Sequence, residues 1–448
     1  MSDMPVTDAH RRDDRRADDE LFRIEERGLE AVPDGARHGH PRELFFIWAA
    51  ALADFFSFFA GAILINPLGL GVLDGAAVLV LGAVAGAALL GPLSVTGVRS
   101  GLPQIMYSRL AFGRRGAMIG GALTALIAIG WFAYDCAIAV QTAKSASVFG
   151  ADGPPQAVTW AMLAVMVVAC ILVAVYGHRT ITVVQTVQAP LFLAICGGIA
   201  VALWSRFDLG LGATVAGRDH VAALLLGFTA TFALIVSWVT YAADYSRYLP
   251  RATGGWRVGV ASGAGSVVTL VLCGLLGLAV QSSNPGDSLL ADPGIIVNAL
   301  PAWFAWTFVV FIVVAEMSSN YLNVYTAALS ALACGVRLRR WPAALVVGLL
   351  GGAFAGWILH NGATFQTTYY NFLTATYVWF PAWCVVVLVD FARRRGRVDA
   401  AEASRPLRSW SDGWRIPAVA TLILGTLATF AFYNASALGG YSGFATRL

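Results

Sequence analysis

Apolar runs of about 20 residues recur eleven times along this chain, at 43–65, 74–97, 117–142, 158–176, 181–204, 221–242, 258–281, 302–330, 342–360, 368–391 and 416–434. A helix rising 1.5 Å per residue needs about that length to cross the ~30 Å hydrocarbon core of a bilayer. Lipid offers no hydrogen bonds, so such runs are expected to be helices that pair their own backbone groups. Hydrophobic residues make up 58% of the 448-residue chain and charged residues 12%. A water-soluble body could not cover that much apolar surface. The expectation is an all-α integral membrane protein with about 11 spans, surrounded by lipid bilayer.

Three runs carry a carboxylate near their middle: Asp54 in span 1, Asp135 in span 3 and Glu316 in span 8. A lipid-facing charge at a helix centre costs at least ~2.5–3.5 kcal/mol. These acids are therefore expected to face a cavity, a substrate or an ion, which points to a transporter with a polar site at mid-depth.

The arginines set the orientation. Arg99, Arg109, Arg114 and Arg115 follow span 2, Arg179 follows span 4, and Arg247, Arg251 and Arg257 follow span 6. Arg337, Arg339 and Arg340 follow span 8, and Arg393, Arg394, Arg395 and Arg397 follow span 10. The loop 282–300 holds Asp287 and Asp292 but neither lysine nor arginine. By the positive-inside rule the N-terminus is expected in the cytoplasm. High alanine, glycine and arginine with Lys144 as the single lysine suggest a bacterial inner membrane.

Residues 1–40, with Arg11-Arg12-Asp13-Asp14-Arg15-Arg16, read as a disordered, charged cytoplasmic tail. No apolar signal-peptide core precedes span 1, so that span is expected to be retained. Residues 41–392 form the expected ten-helix core, 393–415 a basic cytoplasmic loop, and 416–448 an additional span with a short C-terminus. Ala435–Leu448 is too short and glycine-rich to span, so the C-terminus lies outside or packs re-entrantly. The six cysteines fall singly in apolar runs and read as small core residues.

Two motifs are specific. One is Gly97-Val98-Arg99-Ser100-Gly101-Leu102-Pro103-Gln104, followed by Ser108-Arg109 and Phe112-Gly113; the other is Ala243-Asp244-Tyr245-Ser246-Arg247-Tyr248-Leu249-Pro250. Together with Ile24-Glu25-Glu26-Arg27-Gly28-Leu29-Glu30 and Trp48, they resemble the nucleobase–cation symporter-1 family over about residues 22–392. The resemblance implies a five-plus-five inverted-repeat transporter fold with discontinuous helices 1 and 6. The family has 12 helices, against about 11 here. Pro67, Pro92, Pro190 and Pro381 would permit breaks but are common in ordinary spans.

Trp131 and Asp135 stand four apart, on one face of span 3. An indole to stack on and a carboxylate to accept from an amine suit a planar aminated heterocycle. The resemblance implies a tryptophan followed four residues later by a polar residue, commonly an amide; here the second is Asp135. Asp54 likewise replaces a usual amide. Ser237 and Trp238 in span 6, and Asn320 and Asn323 in span 8, complete the expected substrate site. The resemblance also implies a Na⁺ site made by the Ala315 carbonyl and the Ser318 and Ser319 hydroxyls, with span 1 carbonyls near Ala50 and Ala53. The alternative is that both serines bond the i−4 carbonyls of their own helix. Glu316 is expected on a different face from Ser319, as a proton carrier or paired with an arginine.

The reading is a cation-coupled symporter, driven by Na⁺ or H⁺ and free of cofactors and nucleic acid. It would import a nucleobase or related amino-bearing heterocycle such as cytosine or a purine. A hydroxymethylpyrimidine-like vitamin precursor or a small organic cation is the alternative cargo. A membrane enzyme finds no motif: there is no H-E-x-x-H and no nucleophile elbow. A channel finds no repeated filter loop. The sequence carries no oligomer signal.

Overall fold

In a computed structural model of the chain, residues 20–145, 153–362, 365–405, 409 and 411–432 are described. Among them, nine helices are long and apolar enough to cross a membrane, and a bent pair, Pro41–Ala51 with Phe55–Ile65, makes a tenth span. Span 2 is Val72–Ser100, span 3 Gln104–Lys144, span 4 Gln156–Tyr176 and span 5 His178–Leu203. Span 6 runs from Gly217 to Ser246 and span 7 is Gly255–Ser282. Span 8 is Ala302–Ala333, span 9 Arg340–His360 and span 10 Phe365–Arg393, with Ile416–Phe432 as the shorter eleventh. The question of how the chain ends falls on 433–448, outside the described residues.

Packing partners repeat with a shift of five. Span 1 packs on span 7 as span 6 packs on span 2, and span 3 packs on span 9 as span 8 packs on span 4. Spans 2 and 7, and spans 3 and 8, pair across the axis relating the halves. This is the pattern of an inverted repeat, whose pseudo-axis places the first span of each half at the centre.

Both of those central spans are interrupted. Span 1 bends by 59° between Ala51 and Phe55, and Asp54 caps the second half by accepting a hydrogen bond from the Ser57 N–H at 2.8 Å. Span 6 leaves the α-helix after Val236, passes through a 3₁₀ turn at Val239–Tyr241 and resumes at Ala242–Ser246. None of the four prolines makes these breaks. Pro92 and Pro190 lie inside continuous helices, Pro67 follows span 1, and Pro381 starts the second half of span 10. The alanine-rich stretch Ala49–Ala53 and the polar cap of Asp54 locate the break in span 1. Beyond it, span 1 approaches span 7 backbone to backbone: a Cβ on Gly61 would lie 1.7 Å from the Gly274 carbonyl oxygen, and one on Gly277 1.8 Å from that of Phe58.

One expected boundary needs correcting. Residues 1–19 lie outside the described residues, but 20–40 are not a solvated tail. Val32 and Ala36 pack against Tyr248, and the Arg37 guanidinium donates to the Val32 and Val98 carbonyls at 2.9 and 2.8 Å. Burial pushes the Arg37 pKa down. Glu25 is buried, accepting from the Tyr248 and Tyr325 hydroxyls and the His178 N–H at 2.5, 3.0 and 2.7 Å. The Arg247 and Arg340 guanidiniums stand 3.5 and 4.0 Å away. Composition reads a charged segment as solvated, but Glu25 finds partners more than 100 residues away. The described part of 393–415 is also tied down: Arg394 donates to Asp390 and Glu402 at 2.7 and 2.8 Å, and Arg415 to Glu402 at 2.9 Å.

Candidate functional site

Span 8 brings the central groups together. At the break in span 1, the Phe55 N–H has no intrahelical partner and donates to Glu316 Oε1 at 2.6 Å. One turn further along span 8, the Ser319 hydroxyl donates to the Ala51 carbonyl at 2.7 Å. Glu316 and Ser319 therefore share the face that meets span 1, as their i, i+3 spacing allows. The expectation of different faces is overturned. So is the pairing of Glu316 with an arginine: the carboxylate serves the broken helix, and its Oε2 has no hydrogen-bond partner although the side chain is fully buried.

The expected cation ligands divide between two neighbours. Successive helical residues point about 100° apart. Ser319 thus faces span 1 while Ser318 faces span 5, where Gln185 Nε2 donates to its carbonyl and hydroxyl at 3.1 and 3.3 Å. Ala50, Ala53 and Ala315 are buried at the same junction. The span 1 carbonyl engaged by span 8 is that of Ala51, and the Ala50 carbonyl receives the Ala53 N–H at 3.4 Å. Neither serine hydroxyl donates to its own helix in this arrangement.

The next turn of span 8 faces span 3. Asn323 Nδ2 donates to Asp135 Oδ2 and to Asn320 Oδ1, both at 3.1 Å. Asn320 Nδ2 reaches the Phe132 carbonyl at 3.3 Å, and the Tyr241 hydroxyl, in the interrupted stretch of span 6, donates to Asn323 Oδ1 at 3.0 Å. Asp135, Asn320, Asn323 and Tyr241 thus form one buried network joining spans 3, 6 and 8. Ser237 stays apart, donating to the Leu234 carbonyl at 2.7 Å.

Aromatic rings border this network. Trp131 meets Phe56, Tyr369 and Phe372 edge-on at 5.5, 6.2 and 5.3 Å, and its indole N–H has no acceptor. Phe56 stacks on Tyr369 at 4.8 Å, so span 10 covers the Trp131 side of the site. Trp238 packs edge-on against Trp48 and Tyr241 at 6.1 and 5.1 Å. Between spans 1, 6 and 10 lies an apolar cleft of about 40 Å³, lined by Phe59, Ile63, Ala230 and Tyr370 among others. Sequence reasoning passed over Gln185, Tyr241, Phe56 and Tyr369. Tyr241, three residues after Trp238, and Phe56, two after Asp54, stand near a signal.

Asp54, Asp135 and Glu316 are 5%, 1% and 0% exposed. Among the described residues, no lysine or arginine lies within ion-pair distance of any of them. A buried carboxylate without a counter-charge is costly unless a proton, a cation or a cationic donor joins it. The arrangement is chemically an acceptor of positive charge at mid-membrane.

Comparison with known proteins shows the family and the fold. The profile of a family described as permeases for cytosine/purines, uracil, thiamine and allantoin matches residues 31–448. The Bacillus subtilis protein YxlA, which carries a purine-cytosine permease name, is 25% identical over 375 residues, covering 83% of this chain and 79% of its own. The purine-cytosine permease fcyB of Emericella nidulans is 23% identical over 393 residues, covering 83% and 74%. Among solved structures, inward-facing Mhp1 superposes with a TM-score of 0.70 at 18% identity, covering 93% of this chain and 91% of that one. Mhp1 in a closed conformation with bromovinylhydantoin bound, described as a nucleobase-cation-symport-1 family transporter, gives 0.67 at 17% identity, covering 92% of each.

Proposed function

The chain belongs to the family of permeases for cytosine/purines, uracil, thiamine and allantoin, and from that premise we propose that it is a cation-coupled symporter for an amino-bearing nucleobase such as cytosine or a purine. It is a multi-pass membrane transport protein and not an enzyme. The observation that carries the cargo class is the uncompensated acid layer: Asp135 presents a carboxylate on the face that carries Trp131, with no positive side chain to neutralise it. A base that stacks on indole and offers an exocyclic amine supplies both missing interactions. A base with only carbonyls on that edge would set acceptor against acceptor.

Coupling follows from the junction of spans 1 and 8. Glu316 and Ser319 grip either side of the break in span 1, so a cation arriving beside the free Glu316 Oε2, the Ala51 carbonyl and Ser319 would change how firmly that break is held. By linkage, a cation that orders the break raises substrate affinity, and substrate raises cation affinity equally. Either Na⁺ or a proton on Glu316 fits this role. The arginine-rich loops support a cytoplasmic N-terminus, and the composition supports a bacterial inner membrane. Spans 1, 2, 6 and 7 then rock against 3, 4, 8 and 9 around the fixed site.

The experiment is uptake of radiolabelled cytosine into permease-deficient cells, with and without Na⁺ and across external pH, with purines, aminopyrimidines, uracil and cationic amines as competitors. Saturable uptake blocked by aminated bases and not by uracil supports the reading. Block by uracil as strong as by adenine would remove the amine from the argument. Block by hydroxymethylpyrimidine or organic amines alone would move the cargo to a vitamin precursor or a cation.

A further inference from the structure

On the arginine-rich face, the ends of spans 2 and 10 and the turn between spans 6 and 7 enclose an open cavity of about 650 Å³, lined by Arg99, Arg251, Arg394, Arg395 and Arg397 with Asp399 and Glu402. These charges are not equivalent. Arg394 is held by Asp390 and Glu402. Arg99 spends a guanidinium N–H on the Arg251 carbonyl at 2.8 Å. Arg251, Arg395 and Arg397 are exposed, and among the described residues no carboxylate pairs with any of them. Asp399 faces Arg405 at 3.6 Å instead.

The backbone holds this arrangement with some strain. Span 10 ends in a turn in which the Gly396 N–H bonds the Phe391 carbonyl at 3.2 Å. That turn puts Arg395 in the left-handed region, with φ 53°, a position that usually falls to glycine. A guanidinium is thus placed where the backbone favours a residue without a side chain. Five residues beyond Arg251, Trp256 is 70% exposed, with the Arg257 guanidinium 5.6 Å from its ring centroid. An exposed indole with arginines around it marks the level of lipid headgroups.

We propose that this cavity binds a phosphate group, and that its source is the headgroup of an anionic phospholipid in the leaflet facing the arginine-rich loops. Guanidiniums bind phosphate oxygens in paired, charge-assisted hydrogen bonds, and three of them without counter-charges converge here from two elements far apart in sequence. A headgroup at this point bridges span 10 to the turn between spans 6 and 7. It does not depend on which substrate the central site takes.

The test is thermal unfolding of the purified full chain in neutral detergent, titrated with dioctanoyl phosphatidylglycerol, dioctanoyl phosphatidylcholine or inorganic phosphate. One variant carries Arg251→Gln, Arg395→Gln and Arg397→Gln; a control with equal charge loss carries Arg114→Gln, Arg337→Gln and Arg339→Gln. The expected result is stabilisation by phosphatidylglycerol and not phosphatidylcholine, with half-saturation shifted at least about tenfold in the cavity variant and unchanged in the control. Stabilisation by inorganic phosphate that is lost in the cavity variant keeps the site but makes a phosphorylated solute its ligand. No stabilisation in the wild type, or equal shifts in both variants, overturns the proposal. If the triple variant does not fold, Arg397→Gln alone carries the same comparison.

Discussion

Two groups of buried acids lie in this molecule, and they are built in opposite ways. At the arginine-rich face, Glu25 accepts from two tyrosine hydroxyls and a backbone N–H, with Arg247 and Arg340 beside it. At mid-membrane, Glu316 accepts from the Phe55 N–H, its second oxygen is unpartnered, and among the described residues no lysine or arginine lies within ion-pair distance of it, Asp54 or Asp135. A buried acid with every need met joins parts of a fold. A buried acid with needs unmet is waiting for something the fold does not supply. The first group ties residues 20–40 to spans 5, 6, 8 and 9; the second surrounds the two broken spans. The contrast sets a charge satisfied within the fold against charges that the fold leaves uncompensated.

The comparison is open to attack from both sides. The largest effect expected is on stability at the first group. Glu25→Ala leaves Arg247 and Arg340 without their carboxylate and should destabilise the purified protein by about 3–5 kcal/mol, read as a large fall in thermal midpoint. Asp135→Asn in the same assay should leave the midpoint unchanged or raised. Equal losses in both would erase the distinction.

Next in size is transport. Asp135→Asn should lower cytosine uptake about 10- to 100-fold, the worth of one charge-assisted hydrogen bond at ~1.5–3 kcal/mol, while surface expression holds. Within the cation junction, Ser319→Ala should weaken cation dependence about tenfold, because Ser319 faces span 1, whereas Ser318→Ala should weaken it only a few-fold, because Gln185 already holds that residue. Equal effects from both serines would restore an undivided ligand set.

The smallest effect lies outside the bilayer. Arg394 holds the Glu402 carboxyl below its ordinary range, so this pair stabilises the fold fully above the ordinary carboxylate pKa of about 4.3 and loses that contribution as acidification passes the lowered value. Glu402→Gln should therefore lower stability slightly near neutral pH and converge with the wild type in acid, flattening the acid limb of the stability curve. A variant as stable as the wild type near neutral pH but less stable in acid would contradict the assignment.

Much of this was legible in the sequence for identifiable reasons. Run length and arginine placement are one-dimensional signals, so the spans emerged directly. Trp131 and Asp135 are four residues apart on one helix, so a shared face could be read off. The resemblance implies breaks in spans 1 and 6 but not their positions: no proline marks either, and in span 1 the break falls between an alanine-rich run and the Asp54 cap. Glu25 looked like tail because its partners, Tyr248, Tyr325, Arg247 and Arg340, come from more than 200 residues away. Gln185 and Tyr369 were missed for the same reason. Spacing along a helix says which residues share a face, not which helix that face meets, so nothing in the sequence shows that Ser319 meets span 1 while Ser318 meets Gln185 of span 5.

The most direct test of the central claim is equilibrium binding of tritiated cytosine to the purified protein, wild type against Asp135→Asn, with and without Na⁺ and at two pH values. The account predicts saturable binding in the wild type, strengthened by Na⁺ or by the lower pH, and lost in Asp135→Asn at an unchanged thermal midpoint. Binding of equal affinity in Asp135→Asn would show that the uncompensated acid at mid-membrane is not what holds the base.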